Sequence, residues 1–290
     1  MTNYIPIAFC TDKLMEVGLH VTLFSLMENT KHNIKIYLFH EGFSKSDLEL
    51  IHVTLKPFAG QYELVAHEIN KDEYKGLHGL YGNLIVYYRL AMPDLVEEER
   101  LIYLDSDLLI KTDISELFNF PLNSKPLGAR SNGTINNMKD HAIFKKFDMS
   151  SSCRYFNAGV LLIDIEAWKK EHCSAKGLEI AKKHNGELLF FDQTILNIMF
   201  HNNFECIPEK FNFTISPSSE HDEESLKDKI LHFVFSPKPW DFLGEYKHKQ
   251  YPLFKSVLDK TVFKGYNSWN SLSFQKLYRT FRIGKTYFKR

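Results

Sequence analysis

No apolar run in the 290 residues approaches the roughly 18 needed to cross a bilayer, and the opening MTNYIPIAFCTDKL has no basic region followed by a long apolar stretch. A cytoplasmic protein is expected. No sign of charge dominates either: Lys+Arg and Asp+Glu both number 36, so the balance gives no indication of nucleic acid as a partner. Cysteine is scarce. Cys10, Cys153, Cys173 and Cys206 lie far apart with no CxxC pair, which argues against a thiolate zinc site or a redox centre and fits reduced thiols. There is no internal repeat and no low-complexity linker, so one catalytic domain over residues 1–260 is expected, followed by a tail over 261–290.

What the chain does have is core material: 44% of its residues are hydrophobic and 14% aromatic, enough to exclude a disordered chain. YIPIAFC reads as a buried strand. Leu14, Val17, Val21, Phe24 and Met27 then recur at helical spacing, and NIKIYLFHEG is a strand again. SKSDLELIHVTL predicts a helix behind a serine cap, YELVAHEI a third strand, NLIVYYRLAMPDLV a helix closed by Pro93, and RLIYLDSDLLI a strand. This alternation predicts an α/β fold with a mostly parallel central sheet. Beyond it, TDISELFNF reads as a short capped helix and NSKPLGARSNGTINN as an irregular loop. YFNAGVLLIDI is predicted to be a strand, EAWKKEHCSAKGLEIAKKHN one helix, DQTILNIMF a helix capped by its aspartate, and KILHFVF a late strand.

In open α/β sheets ligands bind beyond the carboxyl ends of the strands, where the end of RLIYL leaves Asp105 and Asp107. In extended backbone, side chains two apart share a face, so both acids can address one point. Two carboxylates that close repel unless a cation lies between them, and a hard divalent ion such as Mn²⁺ or Mg²⁺ suits those oxygens. Three other readings are open: an Asx turn with no ligand, a carbohydrate- or Ca²⁺-binding module that uses the pair structurally, and a haloacid-dehalogenase-type phosphatase. Against the phosphatase, Leu109 stands where a small Thr or Val is expected, and no later acidic pair follows.

YYRLAMPDLV, YFNAGVLLIDIEAW, FDQTILN and HFVFSPKPW, read in order with YLDSDLL over roughly residues 5–240, resemble the retaining glycosyltransferases of family 8, particularly bacterial lipopolysaccharide and lipooligosaccharide transferases. The resemblance implies a single GT-A type nucleotide-sugar-binding domain. It implies a UDP-hexose donor, with galactose or glucose the leading sugars, and a saccharide or glycolipid acceptor. By the same resemblance Asp105, Asp107 and His232 would hold Mn²⁺ or Mg²⁺, with Ser106 between the acids at the nucleotide. Lys238 would meet the diphosphate, Arg89 would hold the first acid, and Asp12 would read the uracil. Asn157, Ala158 and Gly159 would line the donor, Asp192 would bind donor-sugar hydroxyls, and Gln193 would lie near the anomeric carbon. Because Gln193 is not an acid, front-face substitution is expected, without a carboxylate nucleophile. Two residues depart from the family pattern: Leu14 stands where a polar nucleotide contact is common, and Phe235 where glycine is frequent.

The tail carries seven Lys or Arg and no acid from Lys264 to Arg290, interleaved with aromatics. Phe274, Leu277, Tyr278 and Phe281 fall on one helical face, which predicts a basic amphipathic helix suited to an anionic membrane surface or docked on its own domain.

Overall fold

The computed structural model describes residues 4–80, 83–269, 280, 281 and 284. The chain runs β1 (Tyr4–Asp12), α1 (Glu16–Asn29), β2 (Asn33–Glu41), α2 (Lys45–Thr54), β3 (Tyr62–Glu68), α3 (Tyr88–Ala91), β4 (Arg100–Leu104), β5 (Leu108–Ile110) and α4 (Ile114–Phe118). It continues through β6 (Leu127–Thr134), α5 (His141–Lys145), β7 (Arg154–Asp164), α6 (Ile165–Lys170), α7 (Cys173–Lys183), α8 (Phe191–Phe200) and β8 (Glu205–Cys206). β9 (Phe213–Ile215), β10 (Ile230–Phe233), α9 (Gly244–Lys247) and α10 (Tyr251–Leu258) complete the described elements.

The main sheet has the order β3-β2-β1-β4-β7-β6-β8. Four of its six pairings are parallel, and β7 runs antiparallel to both β4 and β6. Apolar side chains leave both faces: Ile5, Ile7 and Phe9 of β1 enter one core, while Ala8 and Cys10 enter the other. β1 lies between β2 and β4, so the order reverses there, and a crevice opens at their carboxyl ends. Asp12 ends β1, and Asp105 directly follows β4.

The stretch RLIYLDSDLLI is not one strand. Its first half joins the main sheet, and LLI joins a small sheet of order β5-β10-β9. Helix α1 makes that departure possible. Thr22 Oγ1 donates to Leu108 O at 2.8 Å and accepts from Leu108 N at 3.1 Å, Ser25 Oγ accepts from Ile110 N, and Asn29 Nδ2 donates to Ile110 O. These groups satisfy the edge of β5 that β10 does not reach, so a helix with an apolar face can be buried on nearly every side.

Several other elements differ from expectation. Residues 127–134 form β6 where a loop was predicted, because strand pairing with β7 and β8 overrides the loop-like composition. EAWKKEHCSAKG breaks into α6 and α7 at His172, whose φ is 53°. Asp192 is not the cap of α8: it lies inside the first turn, and Phe190 occupies the cap position. NLIVYYRLAMPDLV is one α-helical turn, α3, between 3₁₀ turns. Ser44 does cap α2, through a full capping box with Asp47.

Residues 261–269 pack onto the domain. Phe263 meets His20 edge-on with centroids 4.9 Å apart, Tyr266 donates to Trp240 O at 2.9 Å, and Trp269 meets Phe242 at 4.7 Å. The amphipathic helix expected around Phe274, Leu277 and Tyr278 lies outside the described residues.

Candidate active site

The carboxyl ends of β1 and β4 open into a cavity of about 650 Å³. Asp12, Arg89, Asp105, Ser106, Asp107, Asp192, Gln193 and Lys238 all line it, so most of the sequence-predicted set meets at one place. Asn157, Ala158, Gly159 and His232 stand behind the two acids, off the cavity wall.

The acids converge for a different reason from the one that strand periodicity suggests. Asp105-Ser106-Asp107 is a bend between β4 and β5, not extended strand. β10 pairs with β5 at His232↔Leu108 and carries the histidine beneath that bend. His232 Nε2 lies 3.2 Å from Asp107 Oδ1 and 3.7 Å from Asp105 Oδ2, and one ligand atom from each of the three residues falls within 4.8 Å of the others. Close packing makes the approach possible. A Cβ on Gly159 would stand 2.3 Å from His232 Cε1 and 2.7 Å from Asp105 Oδ2. A Cβ on Gly18 of α1 would stand 2.5 Å from both Ser106 O and the indole of Trp240, which is buried in the core.

Charges around the acids are paired in two groups. Arg89, on α3, bonds Asp105 Oδ1 and donates to the Tyr103 hydroxyl at 2.8 Å, while Tyr103 donates to the same Asp105 oxygen at 2.7 Å. Its other terminal nitrogen lies 3.0 Å from Asp192 Oδ2. That approach brings the charges together without hydrogen-bond alignment and leaves Asp192 Oδ2 buried and unbonded. Burial pushes the Asp192 carboxyl up to about 6, against the pull of Arg89. In the second group Lys238 Nζ lies 2.6 Å from Asp107 Oδ2 and also bonds Phe233 O. Burial would raise Asp107, but the Lys238 ammonium beside it holds its carboxyl well below the usual carboxylate range.

Gln193 accepts from Ala158 N at 3.0 Å and donates to the Tyr155 hydroxyl at 2.7 Å, so both ends of its amide are anchored. Asp12 caps the turn after β1 through Leu14 N and Met15 N, while its second oxygen accepts from Asn83 Nδ2. Capping therefore leaves the residue at the crevice. Phe235 is 73% exposed at the rim with φ of 64°, a conformation that glycine adopts without strain. Leu80, Leu189 and Phe190 complete an apolar mouth.

The residues fit a divalent cation. Three carboxylates face two fixed cations, and Asp107 Oδ1 is buried without a hydrogen-bond partner among the described residues. Two carboxylates and an imidazole form a suitable donor set. Sequence reasoning missed Tyr103, Tyr155, Asn83 and Asn212, which touch the predicted residues. Tyr155, Asn83 and Asn212 are common residue types whose partners are 20 to 71 positions away, so no local pattern marks them, whereas Tyr103 stands two residues before Asp105 in YLDSDLL.

An open α/β sheet with two acids at a strand end, backed by a histidine and a lysine, is a GT-A-like fold with a candidate metal site. Residues 6–244 match the family described as glycosyl transferase family 8, and the chain belongs to that family. It is 23% identical over 272 residues to general stress protein A of Bacillus subtilis, an alignment covering 88% of this chain and 90% of that protein. It is 27% identical over 262 residues to the lipopolysaccharide 1,3-galactosyltransferase of Salmonella typhimurium, covering 84% and 75%. Among solved structures, the galactosyltransferase LgtC in complex with donor and acceptor sugar analogues superposes with a TM-score of 0.73 at 21% identity, over 89% of this chain and 96% of that one; the likeness is one of fold. The phosphatase and binding-module readings give way to a transferase.

Proposed function

We propose that this protein is a metal-dependent, retaining hexosyltransferase that moves galactose or glucose from a UDP-sugar to a saccharide acceptor in the synthesis of lipopolysaccharide or a related surface glycan. The observation that carries this reading is the meeting of Asp105, Asp107 and Lys238 in one cavity with His232 directly behind the two acids. The acceptor class rests on similarity to the Salmonella lipopolysaccharide galactosyltransferase.

Asp105, Asp107 and His232 would hold Mn²⁺ or Mg²⁺, which supplies Lewis-acid stabilisation of the departing diphosphate. Lys238 would turn from Asp107 to that diphosphate and add a second positive charge. Asp12, with Asn83 beside it, would accept from the base N–H. Arg89 keeps Asp105 oriented and lies beside Asp192, whose carboxylate lines the cavity and would meet a donor-sugar hydroxyl. Gln193, held at both amide ends, would lie near the anomeric carbon, where a double-displacement enzyme would need a carboxylate. Front-face substitution follows: the bond from the anomeric carbon to the phosphate oxygen breaks, the acceptor oxygen bonds to the same face, and its proton passes to the leaving phosphate.

The place of action is the cytoplasm, at the inner membrane surface where the basic, aromatic residues 264–290 would attach. Among the described residues no helix is long and apolar enough to cross a membrane, and all four cysteines are free. The primary test is UDP release from a panel of UDP-hexoses with Mn²⁺, with and without chelator. Release from one or two donors, abolished by chelator and by Asp105→Asn, is expected; orthophosphate release instead would refute the reading.

A further inference from the structure

His232 has two ring nitrogens, and only the unprotonated one can ligate a metal ion. Nε2 faces the acids. Nδ1 faces the interior, 2.9 Å from Oδ1 of Asn212. An isolated pair of amide and imidazole could adopt either polarity, because an amide can be turned over and a ring proton moved. Here the polarity is dictated from the backbone.

The Gly159 N–H can only donate, and it donates to the side chain of Asn157 at 2.9 Å, so the receiving atom is the amide oxygen Oδ1. That oxygen also lies 2.8 Å from the amide of Asn212. An amide oxygen only accepts, so the Asn212 atom facing it is the NH₂. The other end of Asn212 is then its carbonyl oxygen, and His232 Nδ1 must present an N–H to it. We propose that Asn212 is a positioning residue that, relayed through Asn157 from the Gly159 backbone, holds the ring proton of His232 on Nδ1 and so leaves Nε2 as the nitrogen that faces Asp105 and Asp107 and can ligate a cation. The purpose of this relay rests on the metal reading of the site; the tautomer itself does not.

Burial makes the relay rigid. Asn212 is fully buried and His232 is 4% exposed, so solvent offers neither group a substitute partner. The backbone carbonyl of Asn212 accepts from Arg130 at 3.1 Å, which holds the segment against β6. Asp107 Oδ1 is buried without a hydrogen-bond partner 3.2 Å from His232 Nε2, so a ring with its proton on Nδ1 leaves that oxygen and that nitrogen free to share a cation. The opposite tautomer would donate to Asp107 and fill the place of the ion.

The experiment is long-range ¹H–¹⁵N correlation on metal-free, ¹⁵N-histidine-labelled protein. The chain has 13 histidines, so His232 is assigned by the signal lost in His232→Gln. The Nδ1–H tautomer is expected in the wild type, and an Nε2–H tautomer or a ring protonated on both nitrogens there overturns the proposal. Asn212→Leu should lose that tautomer and weaken Mn²⁺ binding, read by the EPR signal of free Mn²⁺, about 10- to 100-fold. An unchanged tautomer and affinity would refute the relay. Asn157→Asp, which keeps the accepting oxygen, should preserve the tautomer. A wild type with the expected tautomer but no Mn²⁺ affinity overturns the metal reading instead.

Discussion

Gly159→Ala tests whether the histidine and the acids work as one unit. The added Cβ would stand 2.3 Å from His232 Cε1, 2.7 Å from Asp105 Oδ2 and 2.8 Å from His232 Nδ1. Ordinary contact begins near 3.4 Å, so the ring must retreat by about 1 Å. The strand cannot yield instead, because Gly159 O accepts from Asp105 N at 2.8 Å and Val160 is paired with Leu104. His232 cannot turn freely either, since Asn212 holds it. Overpacking of this kind costs about 1–3 kcal/mol of stability, so a folded variant is expected. A 1 Å displacement within a catalytic constellation costs on the order of 100-fold in rate. Mn²⁺ titration followed by EPR, and UDP release measured in parallel, should both fall steeply while the circular dichroism spectrum is retained. A Gly159→Ala protein with wild-type Mn²⁺ affinity and turnover would refute the argument that this close approach builds the site.

Asp192 gives a prediction about pH. Its folded value is raised to about 6 from 3.8, so the native state holds a proton that the unfolded chain has already lost. Its stabilising contribution is complete below about pH 4 and disappears as pH rises through about 6, an effect on the order of 3 kcal/mol. Urea unfolding from pH 4 to 7 should show this slope in the wild type and lose it in Asp192→Asn; identical slopes would contradict the assignment. Lys238→Met removes the cation that holds Asp107 when no nucleotide is present, so Mn²⁺ should bind the nucleotide-free variant more tightly while UDP binds more weakly, both read by calorimetry. Weakening of both would show that Lys238 does not compete with the ion. Deletion of residues 270–290 should abolish sedimentation with anionic liposomes and leave UDP release intact, and undiminished sedimentation would exclude the tail as the membrane anchor.

The alternation of strands and helices was legible because both periods are strong in this chain, from YIPIAFC through NIKIYLFHEG. The acid pair of DSD was legible as a ligand site because two acids behind an apolar run are costly without a ligand or a turn to explain them, but its bend was not, since the stretch reads as one extended strand. β6 was not. Its residues LGARSNGT have loop composition and become a strand only because β7 and β8 supply partners. Asp192 was read as a possible cap because aspartate often begins helices, yet α8 starts earlier, at Phe191, and turns that carboxylate toward Arg89.

By itself the sequence determined most of the strands and helices, the mostly parallel sheet and the pair of acids behind RLIYL, because apolar periodicity acts over a few residues; the histidine and lysine were marked only by the resemblance to family 8. The tertiary structure decided which groups meet and in what polarity. β10 brings His232 under a bend 125 residues earlier, α1 lets β5 leave the main sheet, and a glycine N–H sets the amides on which the histidine rests. Such pairings are made across the fold by burial and hydrogen-bond satisfaction, which no local stretch of chain encodes.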